Sequence, residues 1–229
     1  MPMGNIRQAC HASAFALALV CFSSAEPVLA QSAPTPVEVQ SPKQREAIEK
    51  LRAGGYVVYV RHTQTDSKTE DKDLSDMSNC AGQRVLSDQG RENAGKLGEA
   101  LKALAVPVGD VITSQFCRAK ETAKLMKLEI STETADLNND SGEPFVTKPE
   151  SERRGAALRK LLAVQPEQGK NTLIVGHVPN LRNALSLDYA NMKEGEVAIF
   201  AARKDDPGFE LVARITQGEL QNFAKLAAN

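Results

Sequence analysis

The sequence predicts an α/β domain of three layers, in which a largely parallel central sheet is flanked by helices. Two observations carry this prediction. Residues 56–60 (Tyr-Val-Val-Tyr-Val) and 172–175 (Thr-Leu-Ile-Val) are continuous β-branched and apolar runs, which are typical of strands covered on both faces. Segments with the apolar period of an amphipathic helix lie between the strand-like runs, and this alternation favours a parallel sheet.

Capping residues and breakers place the first elements along the chain. Ser41, Pro42 and Gln44 open a helix that runs to Leu51, and Gly54 and Gly55 end it before the strand at 56–60. The polar segment 63–84 has no apolar period and is predicted to be a loop.

The rest of the chain continues the alternation. Ser87 caps a helix whose apolar face carries Ala94, Leu97, Leu101 and Leu104. The remaining predictions are strands at 110–113 and 172–175, helices at 117–128 and 150–163, a hairpin of 196–200 with 209–215, and a last helix opened by a capping box at 216–219.

The first 30 residues are typical of a secretory signal peptide. Residues 12–22 form an apolar stretch too short to span a bilayer, and Val28, Leu29 and Ala30 offer a cleavage site. A lipoprotein signal at Cys21 is the alternative, which the bulky Val20 disfavours. Residues 31–41 are predicted to be a flexible linker and residues 42–229 a single domain, so we expect a secreted or periplasmic protein.

Charge and cysteine content narrow the class of protein. The formal net charge of −1 gives no sign of a nucleic-acid surface, and no membrane span is expected.

Of four cysteines, Cys80 and Cys117 lie beyond the predicted signal peptide. Export favours a disulfide between them, which the chain-entropy model values at about 4 kcal/mol. Two buried thiols or a metal-binding pair are the alternatives.

Two histidines follow directly after predicted strands. His62 comes after the strand at 56–60 and His177 after the strand at 172–175, and reactive groups of parallel sheets collect at such strand ends. Arg61 precedes His62, and Arg118 follows the strand at 110–113. Taken singly, each would be an ordinary hydrogen-bonded or ion-paired residue. Together with the amides that open the helix at Cys117, they predict an anion pocket, because one guanidinium group can donate hydrogen bonds to two phosphoryl oxygens at once.

Four motifs, in order along the chain, resemble the histidine phosphatase superfamily, which has the phosphoglycerate-mutase-like fold. The resemblance covers residues 56–181 and follows the pattern of branch 1. It rests on Arg61, His62, Thr63 and Thr65; on Leu86, Ser87, Gly90 and Arg91; on Thr113, Ser114, Arg118, Glu121, Thr122 and Ala123; and on Val175, Gly176, His177 and Pro179.

The resemblance implies a catalytic role for each of the four site residues. His62 would be the nucleophile that forms a phosphohistidine, and Arg61, Arg118 and His177 would bind the phosphoryl oxygens, with Thr65 beside them in the substrate-binding set. A neutral imidazole suits the nucleophile, since its ordinary pKa is about 6.5. No metal or other cofactor is implied.

The chain departs from the family pattern in three places. Thr63 replaces a small residue, which we expect to narrow the pocket, and Lys68 stands near a position where an Asn is common. The general acid for the leaving group is open between Glu143, Asp140, Asp66 and none of them. Val178 occupies the place of the Asp that the other branch uses, which disfavours that branch.

These observations predict an exported phosphoric monoester hydrolase that acts on a small phosphorylated substrate without a metal. If no acid reaches the leaving oxygen, substrates with good leaving groups are favoured. The alternative is a phosphate- or polyanion-binding module that has lost turnover. A serine hydrolase built on Ser114 and His177 is a third possibility, which the missing Gly-x-Ser-x-Gly motif disfavours.

If Cys80 fastens the loop 63–84 to Cys117, we expect that loop to form a rim of the predicted pocket that selects leaving groups. Otherwise the loop is solvated surface.

Overall fold

Helices and strands alternate along most of the chain, of which the computed structural model describes residues 41–140 and 146–227. The helices in these ranges are α1 (Pro42–Ala53), α2 (Asp88–Ala103), α3 (Cys117–Leu125), α4 (Lys148–Ala163), α5 (Val178–Ala184) and α6 (Gln217–Ala227). The strands are β1 (Tyr56–Arg61), β2 (Val108–Ser114), β3 (Thr132–Thr134), β4 (Asn171–Gly176), β5 (Val197–Ala202) and β6 (Phe209–Ile215). The predicted signal peptide and all but the last residue of the predicted linker lie outside the described residues.

The six strands form one sheet in the order β3-β2-β4-β1-β5-β6. The pairs β3-β2, β2-β4 and β4-β1 are parallel, whereas β5 runs antiparallel to β1 and β6 antiparallel to β5. The predicted α/β class with a largely parallel central sheet is therefore confirmed.

Each face of the sheet is covered by its own apolar core. Val58 and Val60 of β1 pack into a core with residues of α1, α2, α3 and α6. Val57 and Tyr59, which alternate with them, pack into a second core with residues of α4 and α5. Alternate side chains of a strand point to opposite faces, so a strand buried on both faces needs the continuous apolar run seen at 56–60.

The predicted helix starts are confirmed. Ser41 and Gln44 form a capping box at α1, and the Gly90 N–H donates to Ser87 Oγ at 3.0 Å at the start of α2. At α6 the Glu219 N–H donates to Thr216 Oγ1, and the Glu219 carboxylate accepts from the Thr216 N–H. These contacts satisfy N–H groups that have no partner within the helix.

Some predicted boundaries are wrong, and two elements were not predicted. Helix α3 ends at Leu125 rather than Leu128, and Lys127 then adopts a left-handed backbone with φ +63°. Strand β3 is only Thr132–Thr134, too short for a visible alternation. Helix α5 starts with Val178 and Pro179, a pair whose β-branch and proline indicated a turn rather than a short helix. None of the described helices is both long and apolar enough to cross a membrane.

The register of β1 with β4 determines where the two histidines lie. Arg61 is the parallel partner of Gly176, and the His62 N–H donates to the Gly176 carbonyl at 3.1 Å. His62 and His177 therefore leave the sheet side by side, with their ring centroids 5.1 Å apart.

Gly176 lies where a side chain would collide with a core tyrosine. A Cβ at this position would come 2.2 Å from Tyr59 Oη, whose single O–H is shared between the His177 carbonyl at 2.9 Å and Asn180 Oδ1 at 3.0 Å. We expect Gly176→Ala to lower the free energy of unfolding by about 1–3 kcal/mol, because the buried tyrosine has no space to retreat. Urea unfolding measures the change.

The matched control is Gly95→Ala. Gly95 lies in α2 with no atom within 4 Å of an added Cβ, so alanine should stabilise the helix by up to about 1 kcal/mol. Equal effects of the two substitutions would contradict the packing argument.

Candidate active site

A cavity of about 190 Å³ opens at the carboxyl ends of β1 and β4. Its lining residues come from both strand ends, the loop 63–84, the segment after β3 and helix α5: Arg61, His62, Arg84, Asn139, His177, Val178, Pro179 and Arg182. Three of the four predicted site residues thus share one cavity, which has three arginines and no described carboxylate in its lining.

His62 is held in one tautomer by its own backbone neighbour. Its side chain is buried, and Nδ1 lies 2.9 Å from the Thr63 carbonyl oxygen. A carbonyl oxygen only accepts, so Nδ1 carries the proton and Nε2 keeps its lone pair. The contact with the Thr63 carbonyl is the one side-chain hydrogen bond of His62 within the described residues, so Nε2 is available as a nucleophile.

His177 is oriented from both ends. Its Nε2 lies 2.8 Å from Ser114 Oγ, and its backbone N–H donates to Asn180 Oδ1 at 2.8 Å. Its Nδ1 is buried without a hydrogen-bond partner among the described residues. Ser114 is completely buried, so its contact with His177 orients the ring rather than forming a serine nucleophile.

Arg118 lies behind the cavity rather than in its lining. Its side chain is completely buried, its Nη1 donates to Asp71 Oδ1 at 2.9 Å, and its guanidinium carbon lies 4.2 Å from the centroid of the Phe116 ring. Phe116 in turn contacts the His177 ring, with centroids 5.0 Å apart. Arg118 therefore acts on the histidines through its charge at close range.

The arginine that sequence reasoning missed is Arg84. It ends the loop 63–84, lines the cavity, and its Nε is buried without a hydrogen-bond partner in the described part of the chain. Burial is the largest cause of the lowered pKa values of His62, Arg61 and Arg118, and the charge of Arg84 adds to the lowering of each pKa. A single arginine in a polar loop carries no periodic signal, so only the fold could reveal it.

A disulfide fastens the loop 63–84 to the residue before Arg118, which confirms the predicted pairing of Cys80 with Cys117. Cys80 and Cys117 form a disulfide with their Cα atoms 5.7 Å apart, and the Cys117 N–H donates to Gln83 Oε1 at 2.9 Å. Apart from a 3-10 turn at Cys80–Gly82, the segment is the predicted loop. The disulfide links the loop that supplies Arg84 to the helix that supplies Arg118.

Other predicted residues lie away from the cavity. Thr63 is completely buried and its hydroxyl contacts that of Thr122, so the expected narrowing of the pocket by Thr63 is wrong. Thr65 donates to Glu194 Oε1 at 3.0 Å and does not line the cavity. Lys68 is exposed, and its N–H donates to Asp66 Oδ1.

The candidate general acids do not reach the cavity where the structure describes them. Asp140 pairs with Arg154 at 3.1 Å and accepts from the side chain of Asn183, which makes it a structural carboxylate. Asp66 caps a turn, and Glu143 lies outside the described residues. In the ranges 41–140 and 146–227, no group of three or more His, Cys, Asp or Glu side chains could hold a metal ion.

Both histidines are neutral at neutral pH. Burial, and after it the positive charge of Arg118, hold the pKa of His62 well below its ordinary value of 6.5. Burial and Arg118 act in the same direction on the pKa of His177, and His62 adds to the effect. An uncharged imidazole with a free lone pair suits nucleophilic attack.

Comparison with known proteins shows which sequences and folds this chain is similar to. Residues 57–142 match the sequence model of the histidine phosphatase superfamily (branch 1). A mitochondrial serine/threonine-protein phosphatase Pgam5 of Drosophila grimshawi is 31% identical over an alignment of 143 residues that covers 53% of this chain and 46% of that protein. The matched region thus spans about half the length of this relative.

Two solved structures from Entamoeba histolytica share the fold. A mutant phosphoserine phosphatase in complex with phosphoserine has a TM-score of 0.51 at 12% identity, over 72% of this chain and 98% of its own. A phosphoserine phosphatase in complex with 3-phosphoglyceric acid has a TM-score of 0.50 at 14% identity, with the same coverage of both chains. These likenesses concern the fold.

The lowered pKa values predict how stability depends on pH. The unfolded chain binds protons at both histidines near pH 6.5, whereas the folded chain binds them only at lower pH. The free energy of unfolding should therefore fall as the pH drops below 6.5, by up to about 2.7 kcal/mol per pH unit for the two groups together. Urea unfolding at several pH values measures this slope.

His62→Asn should reduce the slope by about half, since one titrating group is lost. An unchanged slope between pH 6.5 and 5 in this variant would contradict the assignment of a buried neutral His62.

Proposed function

We propose that the protein is a phosphatase of branch 1 of the histidine phosphatase superfamily, whose sequence model matches residues 57–142, and that it transfers a phosphoryl group to His62 and then to water. The observation that carries this proposal is the hydrogen bond from His62 Nδ1 to the Thr63 carbonyl, which fixes the proton on Nδ1 and leaves the Nε2 lone pair free to attack phosphorus.

The cations of the cavity would bind the phosphoryl oxygens. Arg61 and Arg84 line the cavity, and Arg118 adds its charge from behind. Ser114 can donate to His177 Nε2, which would place the proton of that ring on Nδ1 for a phosphoryl oxygen. Charge spreads over these oxygens in the transition state, so fixed cations stabilise it without a metal.

The substrate class follows from what the described cavity lacks. No described Asp or Glu lines it, and Glu143 lies outside the described residues. We propose that no carboxylate protonates the leaving oxygen, so that a leaving alkoxide would have to take its proton from water. We therefore expect a small substrate with a good leaving group, such as an aryl phosphate, an acyl phosphate or a phosphohistidine, to react faster than an alkyl phosphate.

We also propose that the protein is exported. The Cys80–Cys117 disulfide supports this, because disulfides persist in oxidising compartments and are rare in the cytosol. The signal-like residues 1–30 point to the same location.

Phosphoryl transfer to His62 is tested by trapping. We expect the purified protein, mixed with a ³²P-labelled aryl phosphate and quenched with alkali, to carry a label that is lost in acid. His62→Asn should carry no label and should hydrolyse the substrate more than about a thousandfold more slowly.

A folded protein that binds phosphate but forms no adduct and turns over no phosphomonoester would support the alternative of a binding module. Calorimetric titration with inorganic phosphate detects that outcome.

The role of Arg84 is tested by its removal. Arg84→Ala should lower kcat/KM for the aryl phosphate by about ten- to a hundredfold, because a charge-assisted contact to the phosphoryl group is lost. Arg45→Ala, at an exposed position in α1, is the matched control and should match the unaltered protein. If both variants keep full activity, Arg84 does not contact substrate.

A further inference from the structure

A carboxylate lies near Nδ1 of His62, the ring nitrogen that is not the proposed nucleophile. Glu194 Oε1 is 3.9 Å from His62 Nδ1, 3.6 Å from Arg61 Nη2 and 3.0 Å from Thr65 Oγ1. Glu194 does not line the cavity that His62, Arg61 and Arg84 line, so we assign it no contact with the phosphoryl group.

The segment that carries Glu194 is fixed against the end of β1. The Gly195 N–H donates to the carbonyls of both Arg61 and His62 at 3.1 Å, and Gln64 Nε2 donates to the Glu194 carbonyl at 3.0 Å. Arg61 Nη1 donates to the Met192 carbonyl at 2.5 Å. The backbone therefore holds the Glu194 carboxylate in place without using the carboxylate itself.

Glu196, two residues on, has an ordinary structural role. Its carboxylate accepts from Arg214 Nε at 2.6 Å and from the Lys193 N–H at 2.8 Å. Glu194, in contrast, accepts a hydrogen bond from a hydroxyl and faces a neutral histidine and an arginine at 3.6 Å. Its negative charge is only partly neutralised, so it can stabilise a new positive charge nearby.

Phosphorylation creates such a charge. As the Nε2 lone pair forms a bond to phosphorus, the bond from phosphorus to the leaving oxygen breaks and that oxygen leaves with the electron pair. Nδ1 keeps its proton, so the imidazole ring changes from neutral to cationic. Among the other groups that face the ring, the Thr63 carbonyl favours the change through its hydrogen bond with Nδ1. The charges of Arg61, Arg84 and Arg118 oppose it, and His177 is neutral, so Glu194 supplies the negative charge nearest to the ring among the described residues.

We propose that Glu194 is a positioning residue that acts through His62, and that its carboxylate stabilises the cationic ring formed when Nε2 accepts the phosphoryl group. The inference rests on the phosphatase function proposed above. It extends to the second step, because a ring that keeps its Nδ1 proton is the better leaving group when water attacks phosphorus.

The size of the effect is limited by solvent. The Glu194 side chain is 22% exposed and lines a separate cleft of about 650 Å³, so water screens part of its field. Two charges about 4 Å apart near a protein surface still interact strongly enough to change a rate by about tenfold or more.

The test compares Glu194→Gln, Glu194→Asp and the unaltered protein with an aryl phosphate as substrate. Glutamine keeps an oxygen for the Thr65 hydroxyl but removes the charge. We expect kcat to fall by about ten- to a hundredfold while KM changes by less than about threefold, since Glu194 does not contact the phosphoryl group. Glu194→Asp, which keeps the charge, should retain more activity than Glu194→Gln.

The pH profile separates a charge effect from a loss of structure. Removing the carboxylate makes protonation of His62 harder, so the acid limb of kcat/KM should move to lower pH in Glu194→Gln even though the rate falls. A ring that was merely loosened would gain solvent and shift its acid limb upward. Glu99→Gln, at an exposed position in α2, is the matched control for the lost charge and should change neither quantity.

The outcomes distinguish this inference from the proposed function. If the unaltered protein forms no phosphohistidine, both fail. If it does, and Glu194→Gln keeps the unaltered kcat and acid limb, only the role of Glu194 is overturned. Should glutamine lower the melting temperature, the comparison is made below the melting range of every variant, and an aspartate variant no faster than the glutamine variant overturns the inference.

Discussion

The parallel pairing of β1 with β4 is the constraint on which the site depends. Arg61 lies opposite Gly176 in the register, so the residues that follow both strands leave the sheet together and their rings meet at 5.1 Å. A slip of one residue would turn Val57 and Tyr59 to the wrong core and separate the two rings. The same apolar alternation that fixes the two cores therefore fixes the two imidazoles.

Burial of this pair has consequences for both stability and chemistry. Each ring is 2% exposed, and close arginines oppose its protonation, so the fold holds two neutral imidazoles where the unfolded chain would bind protons in mild acid. The same neutrality is what a nitrogen nucleophile needs. The groups that orient the rings, Thr63 and Ser114, are buried and bond to the nitrogen that the proposed chemistry leaves unused.

The sequence identified the site residues that lie directly at the ends of strands or at the start of a helix. His62 and His177 were visible because each ends an apolar run, and Arg118 because it follows a strand and opens a helix. The sequence did not identify Arg84 and Glu194 as site residues. Both lie in irregular segments, where the spacing of residues along the chain does not predict which way a side chain points. Helix α5 was missed for a similar reason. It has only seven residues, and a proline in second position suggests a turn; the hydrogen bond from the His177 N–H to Asn180 Oδ1 that marks the helix start is visible only in the structure.

The charges around the cavity explain how so many arginines are accommodated. Arg61, Arg84 and Arg182 line it and Arg118 lies behind, while Glu194 stands near Arg61 and Asp71 is paired with Arg118. Counted over these described residues alone, four guanidinium groups and two carboxylates carry a net charge of +2, equal in size to the charge of a phosphoryl dianion. Asp71 reaches Arg118 from the loop that the disulfide fastens to α3, so the loop lowers the cost of burying Arg118 and delivers Arg84 to the cavity. One irregular segment thereby supplies both a cation of the cavity and the carboxylate that pairs with the buried Arg118.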